Sequence, residues 1–253
     1  MTFDLNGKSA LITGASSGLG VHFSQVLGRA GAKVVLAARR EEALASHVAA
    51  LREQEIDAYA VTMDVSDRDS VDAAVSNANA LVGGIDVLVN NAGIADNQRF
   101  LEMSEESWQR VLDVDLSGVF RVGQAVARLM AEQGRGGAIV NIASVLGLVV
   151  QPTQANYCTA KAGVIQLTKV MARELWRDNI RVNCIAPGYF KTEINAEFFD
   201  SEAGAEYAKR LFPKRIGRLD ELDGPLLLLS SDAGSYMTGV TLPVDGGTLL
   251  SRV

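Results

Sequence analysis

The chain has few of the residues that build metal and redox sites. Its 253 residues include two cysteines, Cys158 and Cys184, and two histidines, His22 and His47. The cysteine spacing fits neither a metal site nor a redox pair, and neither histidine belongs to a ligand cluster. We therefore expect no catalytic metal, two free thiols packed as small apolar side chains, and histidines on ordinary helix faces.

Basic residues and long apolar runs are also scarce. The chain carries 24 lysines and arginines against 30 aspartates and glutamates, and this formal net charge of −6 argues against a nucleic-acid partner. No apolar run approaches the roughly 20 residues that cross a bilayer, and residues 1–4 lack a signal-peptide pattern. We expect no membrane partner and a soluble, cytoplasmic protein. The 48% hydrophobic content suffices for one large domain over residues 1–253.

Short apolar runs alternate with longer helical patterns along the chain. The runs are continuously apolar, as in Val34-Val35-Leu36, which is typical of parallel strands covered on both faces. This order predicts an α/β fold in three layers, with a doubly wound parallel sheet. The predicted strands are Ser9–Thr13, Lys33–Ala38, Tyr59–Asp64, Val87–Asn90, Ala138–Ala143, Arg181–Ala186 and Val240–Val244. The predicted helices include Gly18–Ala30, Arg40–Gln54, Asp67–Leu81, Glu106–Gln133 and Ala155–Asp178.

Glycine or polar residues follow each of the first six predicted strands. In a doubly wound sheet these strand ends share one edge, and ligands bind in the crevice outside it. A ligand site at that edge is therefore predicted. In strand order, the features are Ser16–Gly20, Arg39, Asp64-Val65, Asn90–Gly93, Ser144 and Pro187-Gly188.

The first of these features is a glycine-rich loop between a strand and a helix. Gly14 permits a tight turn after the strand, Gly18 lets the backbone approach a pyrophosphate, and Gly20 allows close packing of helix and strand. The helix that follows directs free N–H groups and its positive dipole end toward the phosphates. The loop predicts a dinucleotide site.

The end of the second strand bears on which nicotinamide cofactor fits. An NAD site usually has an acidic residue there, but the sequence is Ala37-Ala38-Arg39-Arg40. Arg39 is suited to a 2′-phosphate, with Ser16 or Ser17 adding hydroxyl donors. We expect NADP(H) as the preferred cofactor, with NAD(H) possible. The alternative is that both arginines are solvated residues at the start of the next helix.

Tyr157 and Lys161 are four residues apart, which places them on one face of a helix. An ammonium about 5 Å from a phenol contributes about 3 kcal/mol at an effective dielectric of ~20, or about two pKa units. The phenol is then able to donate a proton to a carbonyl oxygen or accept one from an alcohol. Ser144, thirteen residues before Tyr157, is placed to hydrogen-bond the same oxygen. The pattern predicts interconversion of a ketone and a secondary alcohol.

Taken together, the motifs resemble those of the short-chain dehydrogenase/reductase family over essentially the whole chain. The resemblance implies a Rossmann-type fold of about seven strands, in which Ser144 polarises the substrate, Tyr157 is the acid/base and Lys161 tunes it. It also implies a homotetramer or homodimer. The motifs are Thr13–Gly20, Asp64-Val65, Asn90–Gly93, Ser144, Tyr157 with Lys161, Pro187-Gly188 with Thr192, and Val244–Gly247.

The resemblance further implies a set of cofactor-binding residues. Asn91 and Ala92 are expected to line the cofactor, and Phe190 and Thr192 to contact its nicotinamide end. The full set is Gly14, Ser16, Ser17, Gly18, Leu19, Gly20, Arg39, Asp64, Val65, Asn91, Ala92, Gly93, Tyr157, Lys161, Pro187, Gly188, Phe190 and Thr192.

Asp115 departs from the family pattern, which usually has asparagine at this position. In relatives the asparagine's backbone carbonyl holds a water in a proton relay to the lysine. Aspartate keeps that carbonyl, so we expect Asp115 to serve as a relay residue. Its carboxylate is also able to pair with Lys161 or change the pH profile. The alternative is a side chain that simply bonds nearby backbone.

Substrate specificity is expected in a lid over residues 193–218, after the sixth strand. Its apolar residues suit a cover over an apolar site, or equally the packing of the lid on the body. An apolar or aryl ketone is favoured over a sugar. The lid's apolar residues are Phe198, Phe199, Tyr207, Leu211 and Phe212, and further walls are expected from Ile94, Phe100, Leu146, Leu148, Val149 and Val150.

The lid also carries a cluster of basic residues that leaves two alternatives open. The cluster is suited to the phosphates of a 3-oxoacyl thioester, on coenzyme A or an acyl carrier protein, or it is a solvated helix face. A non-catalytic nucleotide-sensing protein is a further alternative, which Asp115 favours and the intact Ser144, Tyr157 and Lys161 oppose. The basic residues are Lys209, Arg210, Lys214, Arg215 and Arg218.

Overall fold

Strands and helices alternate through residues 3–192 and 195–250, the part of the chain that the computed structural model describes. The strands are β1 (Ser9–Thr13), β2 (Lys33–Ala38), β3 (Ala58–Thr62), β4 (Val87–Asn90), β5 (Gly137–Ile142), β6 (Ile180–Pro187) and β7 (Thr241–Val244). The α-helices are α1 (Gly18–Arg29), α2 (Glu41–Arg52), α3 (Arg68–Val82), α4 (Glu105–Leu112), α5 (Gly118–Gln133), α6 (Ala155–Leu175), α7 (Ala196–Asp200), α8 (Glu202–Arg210) and α9 (Asp223–Ser230).

The seven strands form one parallel sheet in the order β3-β2-β1-β4-β5-β6-β7. The order reverses beside β1, where Ile12 pairs with Leu36 of β2 on one side and with Val89 of β4 on the other. Reversal of strand order opens a crevice at the carboxyl ends of β1 and β4. The predicted doubly wound α/β fold is confirmed.

The sheet is buried on both faces, as its continuously apolar strands predicted. Neighbouring side chains of β1 point to opposite cores, because successive residues of a strand alternate between faces. Ile12 packs with Phe23 of α1 and with residues of α2 and α9, whereas Leu11 packs with Val71 of α3 and with residues of α5 and α6. These two cores hold the helices in two outer layers around the sheet.

The helix predicted over Glu106–Gln133 is not continuous. A π-helical turn over Asp113–Ser117 separates α4 from α5. Such a turn inserts an extra residue and is common at functional sites. Here the turn carries Asp115, whose buried carboxylate accepts a hydrogen bond from the backbone N–H of Ile94 at 2.8 Å.

The cysteines are buried free thiols, and burial raises the pKa of Cys184 to about 11. The histidines have more specific contacts than the expected helix surface. His22 lies 2.6 Å from an Asp223 carboxylate oxygen, and the His47 ring lies 3.2 Å from the Ser16 backbone carbonyl oxygen. Within the described ranges, no helix has the length and apolarity needed to cross a bilayer. The same residues include no group of three or more Cys, His, Asp or Glu that could hold a metal.

Candidate active site

A cleft of about 1030 Å³ lies along the carboxyl edge of the sheet. It is large for a small-molecule site, which suits a site that takes both a dinucleotide and a substrate. Every catalytic or cofactor-binding residue predicted from the sequence lines this cleft except Gly20. Gly20 instead packs closely against the glycine loop. A Cβ at this position would lie only 2.4 Å from the Gly14 carbonyl oxygen.

The glycine loop is held against the end of β4. Gly14 has a φ of +66°, and a Cβ at this position would lie 2.8 Å from the Ala92 Cα. The Asn91 side-chain amide donates to the Thr13 carbonyl oxygen at 3.0 Å. The Thr13 hydroxyl in turn accepts from the backbone N–H of Ala92 at 3.1 Å. Only glycine at position 14 allows this approach, so the loop packs closely against the end of β4 and forms a cradle there.

The N-terminus of α1 opens onto the cleft beside this loop. Ser17 is the N-cap residue, and its side chain makes no capping hydrogen bond. The first-turn N–H groups and the helix dipole are therefore directed at the cleft, as in sites that bind phosphate. The cradle and the uncapped helix end fit the pyrophosphate of a dinucleotide.

Two arginines follow β2 at the cleft. Arg39 and Arg40 both line it, and Arg40 donates to the Ser16 hydroxyl at 3.1 Å and to the Ser16 carbonyl at 3.2 Å. The first carboxylate after β2 belongs to Glu41, which accepts a hydrogen bond from the Thr62 hydroxyl at 2.9 Å and does not line the cleft. The end of β2 therefore presents positive charge to the cleft.

Asp64, just after β3, places a carboxylate at the cleft. It accepts hydrogen bonds from the Ser66 backbone N–H at 2.9 Å and the Ser66 hydroxyl at 2.6 Å. Partial burial raises the pKa of Asp64, but Ser66, Arg39 and Arg121 outweigh burial, and the pKa lies below its ordinary value. Asp64 is thus a fixed, ionised acceptor on the cleft wall.

Ser144 and Tyr157 meet the cleft from two neighbouring elements. Ser144 follows β5, and its hydroxyl oxygen accepts from the Leu146 backbone N–H at 3.1 Å. Tyr157 lies in the first turn of α6, where its backbone N–H donates to the Asn156 side chain at 2.8 Å. Asn156 itself is fully buried, so it fixes the start of the helix that carries the phenol.

The pKa of the Tyr157 phenol lies above its ordinary value. Burial is the largest cause, Lys161 opposes it, and Asp115 adds to the rise. The sequence predicts that Lys161 lowers the pKa of Tyr157, and this contribution is present, since Lys161 Nζ lies 5.4 Å from the centre of the Tyr157 ring. Burial and the Asp115 charge, which sequence spacing does not reveal, reverse the net direction.

Lys161 is buried and makes an ion pair with buried Asp115. Its Nζ lies 3.1 Å from Asp115 Oδ2 and donates to the Ile142 carbonyl oxygen at 3.2 Å. Burial lowers the pKa of Lys161, but Asp115 and Tyr157 outweigh it and hold the lysine charged. Burial raises the pKa of Asp115 against the opposing charge of Lys161. The expected pairing of these two residues is present, and the relay through the Asp115 carbonyl stays a prediction.

The far end of the cleft is bounded by the lid. Residues 193 and 194 of the predicted lid lie outside the described residues, and α7 and α8 form most of the rest. Phe198, Phe199 and Tyr207 line the cleft, whereas Leu211 is buried away from it and Phe212 is exposed. Three of the five apolar residues predicted for the lid therefore face the cleft, and their role as a cover over the substrate stays a prediction.

The predicted walls on the other side of the cleft are only partly correct. Ile94 and Leu146 line it. Leu148, Val150 and Phe100 are exposed instead, because a 3₁₀ turn over Val145–Gly147 and the loop before α4 direct them to solvent. Val149 also lies outside the cleft lining. Sequence reasoning missed five polar or aromatic lining residues, although one of them, Tyr189, lies between two predicted cofactor positions. The five are Asn97, Gln151, Gln154, Tyr189 and Asn195.

Most basic residues of the lid have acidic neighbours. Lys209 pairs with Glu206 at 2.5 Å, and Arg215 pairs with Glu221 at 2.8 Å. Arg218 lies 3.1 Å from an Asp220 oxygen. Three of the five basic lid residues are thus paired, whereas no ion pair is found for Arg210 or Lys214 among the described residues.

Comparison with known proteins agrees with this geometry. Residues 8–203 match the short chain dehydrogenase family. The chain is 40% identical over 251 residues to the 3-oxoacyl-[acyl-carrier-protein] reductase FabG of Thermotoga maritima, covering 97% of this chain and 99% of that protein. It is similar in structure to a short-chain type dehydrogenase/reductase from Mycobacterium marinum, with a TM-score of 0.94, 41% identity and 98% of each chain covered.

A second solved structure extends the comparison. A gluconate 5-dehydrogenase from Burkholderia cenocepacia, solved in complex with NADP and tartrate, superposes with a TM-score of 0.94 and 39% identity. The match covers 99% of this chain and 98% of that one. With both its fold and its sequence matched along nearly their whole length, this chain belongs to the short-chain dehydrogenase/reductase family of oxidoreductases.

Proposed function

We propose that the protein is an NADP(H)-dependent oxidoreductase that interconverts a ketone and a secondary alcohol, with Tyr157 as the acid/base. The observation that carries this proposal is the meeting of Ser144, Tyr157 and Lys161 in a cleft that also contains the glycine cradle. A proton donor, a hydroxyl and a fixed cation beside a dinucleotide cradle are the groups that carbonyl reduction requires.

The cofactor, when bound, supplies the hydride in reduction and accepts it in oxidation. In reduction the Ser144 hydroxyl donates a hydrogen bond to the substrate carbonyl oxygen, and Tyr157 transfers its phenolic proton to that oxygen. Lys161 stabilises the phenolate left behind, because its ammonium is held charged by Asp115. In oxidation the phenolate accepts the alcohol proton, and the same contacts act in reverse.

The end of β2 supports NADP(H) over NAD(H). Arg39, Arg40 and the Ser16 hydroxyl are suited to a 2′-phosphate, which carries two negative charges and several acceptor oxygens. A ribose 2′-hydroxyl would call for a carboxylate here, and Glu41 is engaged with Thr62 instead. The Burkholderia relative was solved with NADP, which is consistent with this choice.

A second candidate function is the reduction of 3-oxoacyl thioesters. The relative named 3-oxoacyl-[acyl-carrier-protein] reductase favours it. The ion pairs of Lys209, Arg215 and Arg218 weigh against it, because compensated charges attract a phosphate group weakly. A non-catalytic sensing role would keep cofactor binding and lose turnover. Assembly into a homotetramer or homodimer stays a prediction from the family resemblance.

Titration of NADPH and NADH into wild type and Arg39→Ala tests the cofactor assignment. We expect NADPH to bind more tightly, and the substitution to remove about 1–3 kcal/mol of that preference without weakening NADH. Arg177→Ala, at an exposed arginine on the surface, is the matched control. Equal affinity of the wild type for both cofactors would overturn the NADP(H) assignment. NADPH oxidation with a ketone panel and with acetoacetyl-CoA then separates the two candidate functions.

A further inference from the structure

Four aromatic rings form a cluster on the lid side of the cleft. Tyr189, after β6, contacts Tyr207 of α8 with ring centres 5.3 Å apart and nearly perpendicular. Phe198 and Phe199 of α7 join them, with centres 5.2 Å apart from each other and 5.9 Å from Phe198 to Tyr207. All four line the cleft, and Phe198 remains half-exposed. The cluster therefore presents aromatic edges and faces to the cleft that also contains Tyr157.

The polar side chains that line the cleft near these rings are uncharged. The Tyr189 hydroxyl donates to the Gln151 side-chain carbonyl at 2.7 Å, which fixes that amide across the cleft from the lid. Among the described residues, no partner is found for the Gln151 NH₂ group or for the side chain of Gln154. Gln154 is the N-cap of α6 and makes no side-chain cap. These amides are able to bond a neutral oxygen of a ligand in either direction.

The charged side chains of the cleft lie beside the glycine loop or at the catalytic residues. The charged residues that line the cleft are Arg39, Arg40, Asp64, Asp115 and Lys161, within the ranges described. Lys161 is already paired, and the arginines lie beside the glycine loop. Lys191, just before the lid, is paired with Asp200, and the lid cations without an ion pair among the described residues, Arg210 and Lys214, do not line the cleft. A carboxylate at the ring cluster would find no cation and would lose hydration without compensation.

We infer that the substrate is an uncharged ketone that carries a ring and a second, uncharged oxygen. The ring lies against the Phe198–Tyr207–Tyr189 cluster, and the second oxygen bonds the amides of Gln151 and Gln154. This inference rests on the proposed function, because it places the reacting carbonyl at Ser144 and Tyr157. It distinguishes this enzyme from its gluconate 5-dehydrogenase relative, whose named substrate is a sugar acid.

The first test compares two acetophenones of similar shape, a neutral methyl ester and the corresponding free carboxylate. With NADPH and purified enzyme, we measure kcat/KM for methyl 4-acetylbenzoate and for 4-acetylbenzoate, alongside 5-ketogluconate, acetoacetyl-CoA and a small aliphatic ketone. We expect the ester to exceed the free carboxylate by about tenfold or more, because the buried charge has no partner. The sugar acid is expected to be the poorer substrate as well.

The second test changes the amide and the ring. Gln154→Lys is expected to raise kcat/KM for 4-acetylbenzoate by about tenfold, and Gln154→Met, of similar length, is not. Tyr207→Leu is expected to lower kcat/KM for the ester by up to about tenfold and to spare the aliphatic ketone. Tyr236→Leu, at a fully exposed tyrosine, is the matched control.

The outcomes separate this inference from the proposed function. If NADPH binds but no ketone of any class is reduced, the proposed function is wrong. If 5-ketogluconate, acetoacetyl-CoA or the free carboxylate is reduced as well as or better than the ester, the proposed function stands and the inference is overturned. Equal losses on the aromatic and aliphatic ketones in Tyr207→Leu would also overturn it, because the ring would then only pack the lid.

Discussion

The Asp115 carboxylate lies 3.1 Å from the Lys161 ammonium, so the buried lysine has its counter-ion inside the protein. The carboxylate is fully buried, and its other oxygen accepts from the Ile94 backbone N–H. Removing either partner of such a buried pair would leave the other charge buried without a counter-ion, which destabilises the folded protein. The pair ties the loop after β4 and the π-helical turn to the helix that carries Tyr157.

We predict that Asp115→Asn moves the pH profile to lower pH. The carboxylate raises the pKa of Tyr157, so its removal lets Lys161 lower that pKa. In alcohol oxidation, kcat/KM rises with pH as the phenol ionises, and this rise is expected about one unit or more lower. Ketone reduction needs the protonated phenol, so its kcat/KM falls at high pH. We expect this fall to move to lower pH as well. The measurement is kcat/KM against pH in both directions.

Asp113→Asn is the matched control for this experiment. Asp113 lies in the same turn, but its carboxylate pairs with Arg121 at 2.6 Å. A structural effect of either substitution on the turn would alter thermal stability or kcat at all pH values. An unmoved profile in Asp115→Asn, or an equal shift in Asp113→Asn, would contradict the electrostatic role of Asp115.

Removal of the Tyr157 hydroxyl tests the acid/base assignment directly. Tyr157→Phe is expected to lower kcat by about 10²- to 10⁴-fold, the range for loss of a positioned proton donor. NADPH affinity is expected to stay within a few-fold, which titration of the variant checks. Tyr236→Phe, at the exposed tyrosine, is expected to change neither quantity. Undiminished turnover in Tyr157→Phe would show that another group transfers the proton.

Local sequence patterns predicted the fold and the cradle well, because their causes are local. Continuous apolar runs such as Val34–Leu36 are required by a sheet buried on both faces, and they appear as β2. Gly14 and Gly18 are required by backbone with positive φ, at +66° and +55°. The i, i+4 spacing likewise placed Tyr157 and Lys161 on one helix face.

Long-range effects were not predictable in the same way. The net direction of the Tyr157 pKa depends on burial and on Asp115, which is 42 positions away along the chain. The aromatic cluster depends on Tyr189 facing a helix that begins after it, which no periodicity reveals. The π-helical turn at Asp113–Ser117 was missed because its residues continue a helical pattern.

The approach of Gly14 to Ala92 predicts a cost for any side chain at position 14. Gly14→Ala adds a Cβ 2.8 Å from the Ala92 Cα in a residue whose φ is +66°. The φ alone costs about 1–2 kcal/mol in unfolding free energy, and the backbone contact adds to this loss. We also expect weaker NADPH binding, because the cradle must open. Denaturant unfolding and cofactor titration measure the two effects.

Gly83→Ala isolates the effect of φ in that experiment. Gly83 has a φ of +77° at the end of α3, and a Cβ there would meet nothing within 4 Å. Its substitution is expected to cost about 1–2 kcal/mol and to leave NADPH binding unchanged. Equal losses of stability and of NADPH affinity at both positions would show that the Gly14–Ala92 contact adds nothing to the cost of the positive φ.

A buried chain of hydrogen bonds fixes α6 to the sheet and gives the last prediction. The Asn90 amide donates to the Asn141 side chain at 3.0 Å, Asn141 donates to the Thr168 hydroxyl at 2.9 Å, and Thr168 donates to the Val164 carbonyl at 2.8 Å. Thr168→Val keeps the shape but leaves the buried Asn141 amide without an acceptor, at a cost of about 1–3 kcal/mol.

Thermal or denaturant unfolding of Thr168→Val measures this loss, with Thr62→Val as the matched control. Thr62 is exposed and bonds Glu41, so its substitution is expected to cost less than about 0.5 kcal/mol. Thr168 lies two turns after Lys161 on α6, away from the catalytic residues. We therefore expect the kcat of folded Thr168→Val to stay close to the wild-type value, although its unfolding free energy is lower. A stability equal to wild type would mean that Asn141 finds another acceptor, and that the chain does not hold α6 in place.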